Sequence, residues 1–339
     1  MPEKALVTGG GGFLGSEVVR RLLARGDAVR VLGRSRYPAL EALGAECVQG
    51  DLGDRDAVAA ACAGVDVVHH VGAFVGVWGK VVDFERTNVH GTEHVVAGCR
   101  AAGVGRLVFT SSPSVISPPD FHDHDGVDER CPYPERYLAH YPRTKAQAER
   151  IVLAANGESL RTCALRPHLI YGVGDPHIVP RLFTRARKKK LRRVGDGPAR
   201  IDFTRVENAA IAHLLAADDL AGKARSAGNA YFITNGEPVA LWDWVAAFLE
   251  GVDLPPVTKQ VSFRAAFRLG GALELAWKAL RLGGEPPMTR FVAVQLATSH
   301  WFTIDAARRD LGYAPEAFPL APATEALIAH YKAKLAPAT

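Results

Sequence analysis

An α/β fold, a parallel sheet wound by helices on both faces, is what this 339-residue sequence predicts. Three observations carry the expectation. Short apolar runs alternate with stretches of helical periodicity through roughly the first half of the chain. A glycine-rich turn joins the first apolar run to the first helix. Beyond Tyr171-Gly172-Val173-Gly174-Asp175 the alternation stops, and a different kind of chain follows. The expected fold class is therefore a Rossmann doubly wound parallel sheet with a smaller, mostly helical C-terminal substrate lobe. Residues 1–168 with 201–235 would form the first unit, and 169–200 with 236–339 the second.

The elements come in order. Ala5, Leu6 and Val7 read as a buried strand, and Val18, Val19, Leu22 and Leu23 recur at helical spacing. Between them stands Thr8-Gly9-x-x-Gly12-x-x-Gly15. Gly9 permits the tight turn, Gly12 lets backbone N–H groups approach a pyrophosphate, and Gly15 allows close helix–strand packing. Phe13 and Leu14, at the helix start, join the candidate cofactor contacts. The second strand, Ala28 to Leu32, ends at Gly33-Arg34-Ser35-Arg36. An NAD site places a carboxylate there for the ribose 2′-OH; this chain has none, and Arg34 and Ser35 suit a 2′-phosphate. The expected cofactor is NADPH rather than NAD. Cys47 to Leu52 reads as the third strand, with Asp51 either a helix N-cap or a partner of the adenine amino group, and Leu52 beside it. Asp66 to Ala73 is the fourth, where Gly72 and Ala73 leave room for cofactor and His70 reads as a hydrogen-bonded core histidine. Asn88 to Thr92 opens a helix through Val95, Val96 and Cys99. Arg106 to Thr110 is the fifth strand, and Ser111-Ser112-Pro113-Ser114 follows it.

Composition fits an ordinary enzyme with a sizeable core: 48% hydrophobic residues and a formal net charge of +5. The five cysteines form no C-x-x-C pair and are odd in number, so free thiols in a reducing compartment are expected. The first strand begins almost at Met1, and no apolar run is long enough for a bilayer. A soluble cytoplasmic protein is expected.

Residues Pro113 to His140 are rich in Pro, Asp and His and read as loop. His122-Asp123-His124-Asp125 specifies no rigid ligand set, and no metal site is assigned. Tyr141-Pro142-Arg143-Thr144-Lys145 then puts a phenol and an ammonium four residues apart, on one face of a helix, with Pro142 suited to its first turn. A nearby Lys⁺ favours phenolate, which makes Tyr141 a candidate acid/base for a carbonyl–alcohol pair. Ser112, at the end of the fifth strand, is placed to polarise the same oxygen.

Taken together, Thr8-Gly9-x-x-Gly12-x-x-Gly15, Gly50-Asp51-Leu52, His70-Val71-Gly72-Ala73, Asn88-x-x-Gly91-Thr92, Thr110-Ser111-Ser112, Tyr141-x-x-x-Lys145 and Leu165-Arg166-Pro167 resemble the extended short-chain dehydrogenase/reductase superfamily. Within it the chain is similar to the 3β-hydroxysteroid dehydrogenase branch. Its nearest likeness there is to the bacterial 2-alkyl-3-oxoalkanoate reductases of long-chain olefin biosynthesis. That likeness rests on Ser35-Arg36-Tyr37-Pro38, Gly76-Val77-Trp78-Gly79, Ser111 to Val115, Gly195-Asp196-Gly197, Gly284 to Phe291 and Arg308 to Tyr313. The resemblance implies Tyr141 as acid/base, Lys145 on the nicotinamide ribose, Ser112 on the substrate oxygen and Asn88 in a proton relay. It adds Pro167 to the cofactor contacts. Trp78, Ser114 and His168 are the candidate substrate residues, with His168 or a nearby Arg meeting a substrate carboxylate.

In the C-terminal lobe the basic run Arg185 to Arg193 is either a solvated face or a docking patch for an anionic partner or lipid surface. Nucleic acid is not expected as a partner, since no stacking aromatics are interleaved with the charges. From Ser262 to Leu282, Ala266, Leu269, Leu273, Ala276, Trp277 and Leu280 share one side of a helix, opposite Arg264, Arg268, Lys278 and Arg281. That helix packs as an ordinary surface element, covers a long apolar substrate, or lies on a membrane surface. The expected activity is NADPH-dependent reduction of the ketone of a hydrophobic 2-alkyl-3-oxoalkanoic acid. A 3β-hydroxysteroid or sterol dehydrogenase is the alternative; a nucleotide-sugar epimerase and a non-catalytic cofactor sensor rank below it. The expected partners are a hydrophobic small-molecule substrate, a second copy in a homodimer, and a peripheral membrane or pathway-enzyme contact.

Overall fold

The computed structural model describes residues 2–117, 119 and 122–335. Seven parallel strands form the central sheet: β1 (Lys4–Thr8), β2 (Ala28–Gly33), β3 (Glu46–Gln49), β4 (Val67–His70), β5 (Arg106–Thr110), β6 (Arg161–Pro167) and β7 (Ala230–Ile233). Their order is β7-β6-β5-β4-β1-β2-β3, so the strand order reverses at β1. In a sheet of this kind the crevice beyond the carboxyl ends at that reversal is where ligands bind.

Side chains alternate along each strand, and both faces are covered. Ala5 and Val7 face one layer, with Val18, Val19 and Leu22 of α1 (Phe13–Arg25). Leu6, Leu107 and Phe109 face the other, with residues of α2 (Arg55–Cys62), α3 (Gly91–Ala102) and α4 (His140–Ala154). The helix α5 (Val206–Ala221) packs on α1 and completes the first layer. The third strand stops at Gln49, short of the expected Leu52. Asp51 accepts the Gly53 N–H, and Asp54, rather than Asp51, caps α2 by accepting from Asp56 and Ala57.

A separate core of Tyr171, Val179, Phe183, Phe203, Trp242 and Phe248 fills the remaining lobe. A small sheet edges it, in the order Val239–Ala240, Arg200–Ile201, His300–Phe302, His124–Val127. The segment expected to be wholly loop thus contributes a strand, with Asp123 accepting from Ser299 N and Asp125 from the Trp301 indole. In α6 (Phe263–Ala279) Ala266 of the expected side is buried, but the other buried residues are Gly270 and Glu274 rather than its leucines. The cause is α7 (Arg290–Ala297): a Cβ at Gly270 would lie 2.7 Å from Arg290 N, and Glu274 binds that same N–H at 2.7 Å. The helix is turned to suit those two contacts, which leaves Leu269 and Leu280 of the expected side more than half exposed. No helix among the described residues is long and apolar enough to cross a membrane.

Candidate active site

One wall of the crevice is made of backbone. Gly9 has φ +68°, and a Cβ there would lie 2.6 Å from Gly72 Cα; one at Gly15 would lie 2.2 Å from the Gly9 carbonyl oxygen. Gly12 precedes α1 without a side-chain cap, and the first turn holds no acidic residue. No side chain competes for the N–H groups of the first turn and the helix dipole is unopposed, which is the cradle an anionic pyrophosphate requires. Behind it a buried chain is satisfied without charge. Thr92 Oγ1 donates to Asn88 O and so accepts from His70 Nε2 at 3.0 Å. His70 Nδ1 then accepts from Thr8 Oγ1 at 2.7 Å, and Thr8 Oγ1 accepts the Gly72 N–H. Burial, then the charge of Lys145, pushes the His70 imidazole down to about 3, which keeps it neutral.

At the end of β2, Arg34 lines the crevice, along with Asp51 and Leu52. Ser35 lies on the exposed turn outside that lining, and Arg36 is turned away, its guanidinium bonded to both oxygens of Glu41. Tyr37 lines the crevice too. It was not read from the sequence as a site residue, though glycines at 11 and 33, against which its ring lies, are the trace it leaves.

The opposite wall is made of side chains. Ser112, Tyr141, Lys145 and Pro167 line the same space of about 610 Å³ as Gly9, Gly12, Phe13, Leu14, Gly15, Gly72 and Ala73. Tyr141 stands in the first turn of α4 and Lys145 one turn on, as their spacing predicts. Burial pushes the Tyr141 phenol up to about 12, against the pull of a hydrogen bond with Ser112. The sequence suggested the reverse, a phenol lowered by its lysine. Lys145 instead donates to the Thr110 carbonyl at 2.6 Å and lies over the Phe109 ring at 4.0 Å. Burial pushes its ammonium down to about 7, with Glu149 acting in opposition. Glu149 is itself fully buried, held by Arg166 and Tyr133.

Besides Ser35, four expected site residues stand off the crevice lining. The Asn88 amide is consumed: Oδ1 accepts from Phe74 N at 2.7 Å, while Nδ2 donates to Phe74 O and Thr144 Oγ1. It ties the exit of β4 to the turn carrying Tyr141, which makes it a positioning group rather than a relay. Trp78 lies under Lys278, 5.8 Å from ring centroid to Nζ. Ser114 bonds Ser112 at 3.0 Å. His168 is buried, with Nδ1 2.5 Å from Asp202 Oδ1 and Nε2 3.1 Å from His300 Nδ1. With both ring nitrogens engaged away from the cavity, His168 is not positioned for a substrate carboxylate. The imidazole that lines the crevice is that of His177. Among the described residues no group of His, Cys, Asp and Glu is arranged to hold a metal.

The model of the 3-beta hydroxysteroid dehydrogenase/isomerase family matches residues 6–263. A 2-alkyl-3-oxoalkanoate reductase of Stenotrophomonas maltophilia is 51% identical over 314 residues, covering 92% of this chain and 95% of that protein. One of the same name from Shewanella oneidensis is 44% identical over 317 residues, covering 91% and 81%. The solved structure of MoeE5 in complex with UDP-glucose and NAD superimposes with a TM-score of 0.73 at 26% identity, covering 98% of this chain and 100% of that one.

Proposed function

The chain belongs to the 3-beta hydroxysteroid dehydrogenase/isomerase family, and on that footing we propose that it reduces the ketone of a hydrophobic 2-alkyl-3-oxoalkanoic acid with NADPH. It is an oxidoreductase of the extended short-chain dehydrogenase/reductase type, with a ketoreductase role. The observation that carries the reading is that Ser112, Tyr141 and Lys145 line one crevice together with the glycine cradle. A ketone taking up hydride needs a proton for its oxygen, and the Tyr141 phenol, protonated and lining the crevice, is placed to give one. Substrate class is supported by the 51% identity to a reductase of that name over nearly the whole chain.

The cradle fits a dinucleotide, with Gly9, Gly12, Phe13, Leu14 and Gly15 at the pyrophosphate and Lys145 within reach of the ribose end beside Tyr141. When bound, the reduced nicotinamide supplies the hydride. Ser112 orients the ketone oxygen toward Tyr141, Tyr141 releases its proton to that oxygen, and Lys145 steadies the resulting phenolate. Asn88 and Thr144 hold the turn on which Tyr141 stands. His177 is the group we assign to the substrate carboxylate, since it lines the crevice and His168 does not.

NADPH oxidation with 2-alkyl-3-keto acids of increasing length, run beside 3-ketosteroids, tests the reading. Each buried CH₂ contributes about 0.8 kcal/mol, so kcat/KM should climb as either alkyl arm grows, and esterifying the acid should lower it. A flat response to length together with good steroid turnover would transfer the activity to sterols.

A further inference from the structure

The carboxyl end of β2 holds a side chain where glycine leaves a gap. The backbone of Tyr37 is pinned: its carbonyl accepts from Leu40 N at 2.8 Å and Glu41 N at 3.0 Å. From there its ring runs back across the crest of the crevice. A Cβ on Gly11 would lie 1.9 Å from ring Cε1, and a Cβ on Gly33 would lie 2.3 Å from the phenol oxygen and 2.6 Å from Cε2. The ring therefore bridges the glycine loop and the end of β2 and requires both positions to lack a side chain. Gly33 closes β2, the region in which an NAD-selective site holds the acidic residue that binds the ribose 2′-OH. An aspartate there would collide with the phenol. Gly11, Gly33, Arg34 and Tyr37 all line the crevice, and the Tyr37 hydroxyl bonds no group among the described residues.

We propose that Tyr37 selects the adenosine end of the cofactor: its ring fills the volume of the acidic side chain, and its hydroxyl joins Arg34 in receiving a 2′-phosphate. The assignment rests on the NADPH reading above and names a residue that the glycine and arginine motifs leave out. Two donors of different kind, a guanidinium and a phenol, then meet a dianion in a place cleared of negative charge.

Calorimetric titration of two fragments, adenosine 2′,5′-bisphosphate and 5′-AMP, tests this without turnover. Wild type should bind the bisphosphate at least ~tenfold tighter. Tyr37→Phe, which keeps the ring and its packing, should lose ~tenfold of the bisphosphate affinity and leave 5′-AMP within about twofold. Gly33→Asp should weaken both fragments, and adding Tyr37→Ala should restore 5′-AMP by vacating the space. Equal affinities in wild type would remove the NADPH reading and Tyr37's part in it together. A preference that persists unchanged in Tyr37→Phe would overturn the role of Tyr37 alone. So would Gly33→Asp binding 5′-AMP as wild type does.

Discussion

The two walls of the crevice are built from different materials. The glycine wall is backbone against backbone, and its constraint is volume: Gly15 and Gly9 are so close that a methyl cannot enter between them. The polar chain behind it, Thr8, His70 and Thr92, is neutral and complete, so the wall holds its shape across the ordinary pH range. The wall proposed to be catalytic is side chain against side chain, and its constraint is charge. There the same burial displaces two titrating groups, Tyr141 upward and Lys145 downward. One wall should fail when a carbon atom is added, and the other when a proton is misplaced.

The largest effect should come from the proton. Tyr141→Phe keeps the ring and removes the donor, so kcat should fall by ~10²–10⁴ while NADPH affinity holds within about twofold. Near-normal turnover would mean that another group delivers the proton. Next in size is the carbon. Gly15→Ala would set a methyl 2.2 Å from the Gly9 carbonyl oxygen and force the loop open. NADPH affinity by titration should drop at least ~100-fold, about 2.7 kcal/mol, with the pH profile of the remaining activity unchanged. An affinity within about threefold of wild type would show the loop to be less closely fitted than its contacts imply.

The glycine wall was the more legible from sequence because its contacts are local. Gly9, Gly12 and Gly15 lie within one turn and one helix start, and their spacing is the geometry. Tyr141 and Lys145 are legible for the same reason, being one helical turn apart. What escaped reading depends on distant partners. His168 is claimed by Asp202, 34 residues on, and by His300, 132 residues on, and no local pattern announces either bond. The packed face of α6 is set by the backbone of α7, so a helical wheel chose leucines where the structure uses Gly270 and Glu274. At Gly33 the sequence showed a missing carboxylate but not the ring that takes its place. The direction of the Tyr141 shift was missed because spacing brings Lys145 near without saying where its ammonium points.

Lys145 supplies the smallest effect and the finest test of the contrast between the walls. Its ammonium sits in a dry site, bonded to the Thr110 carbonyl and facing the Phe109 ring, with its ordinary value of 10.5 lowered to about 7 by burial. In the unfolded chain the same lysine keeps its proton to about 10.4. Between those values unfolding takes up a proton, so the cost of burying the charge is full below pH 7 and relaxes as pH rises. Cofactor-free protein should therefore gain stability relative to Lys145→Met between pH 7 and 9, by at most about 1.4 kcal/mol per pH unit. His70 gives the internal control. Held neutral down to about 3, it lowers stability only as pH falls below its ordinary 6.5, where the unfolded chain takes a proton and the folded one does not. The two windows do not overlap. Urea melts of wild type and Lys145→Met at pH 7, 8 and 9 should thus diverge steadily. Parallel curves would place the Lys145 charge in water and return the side-chain wall to the pH-indifference of its neighbour.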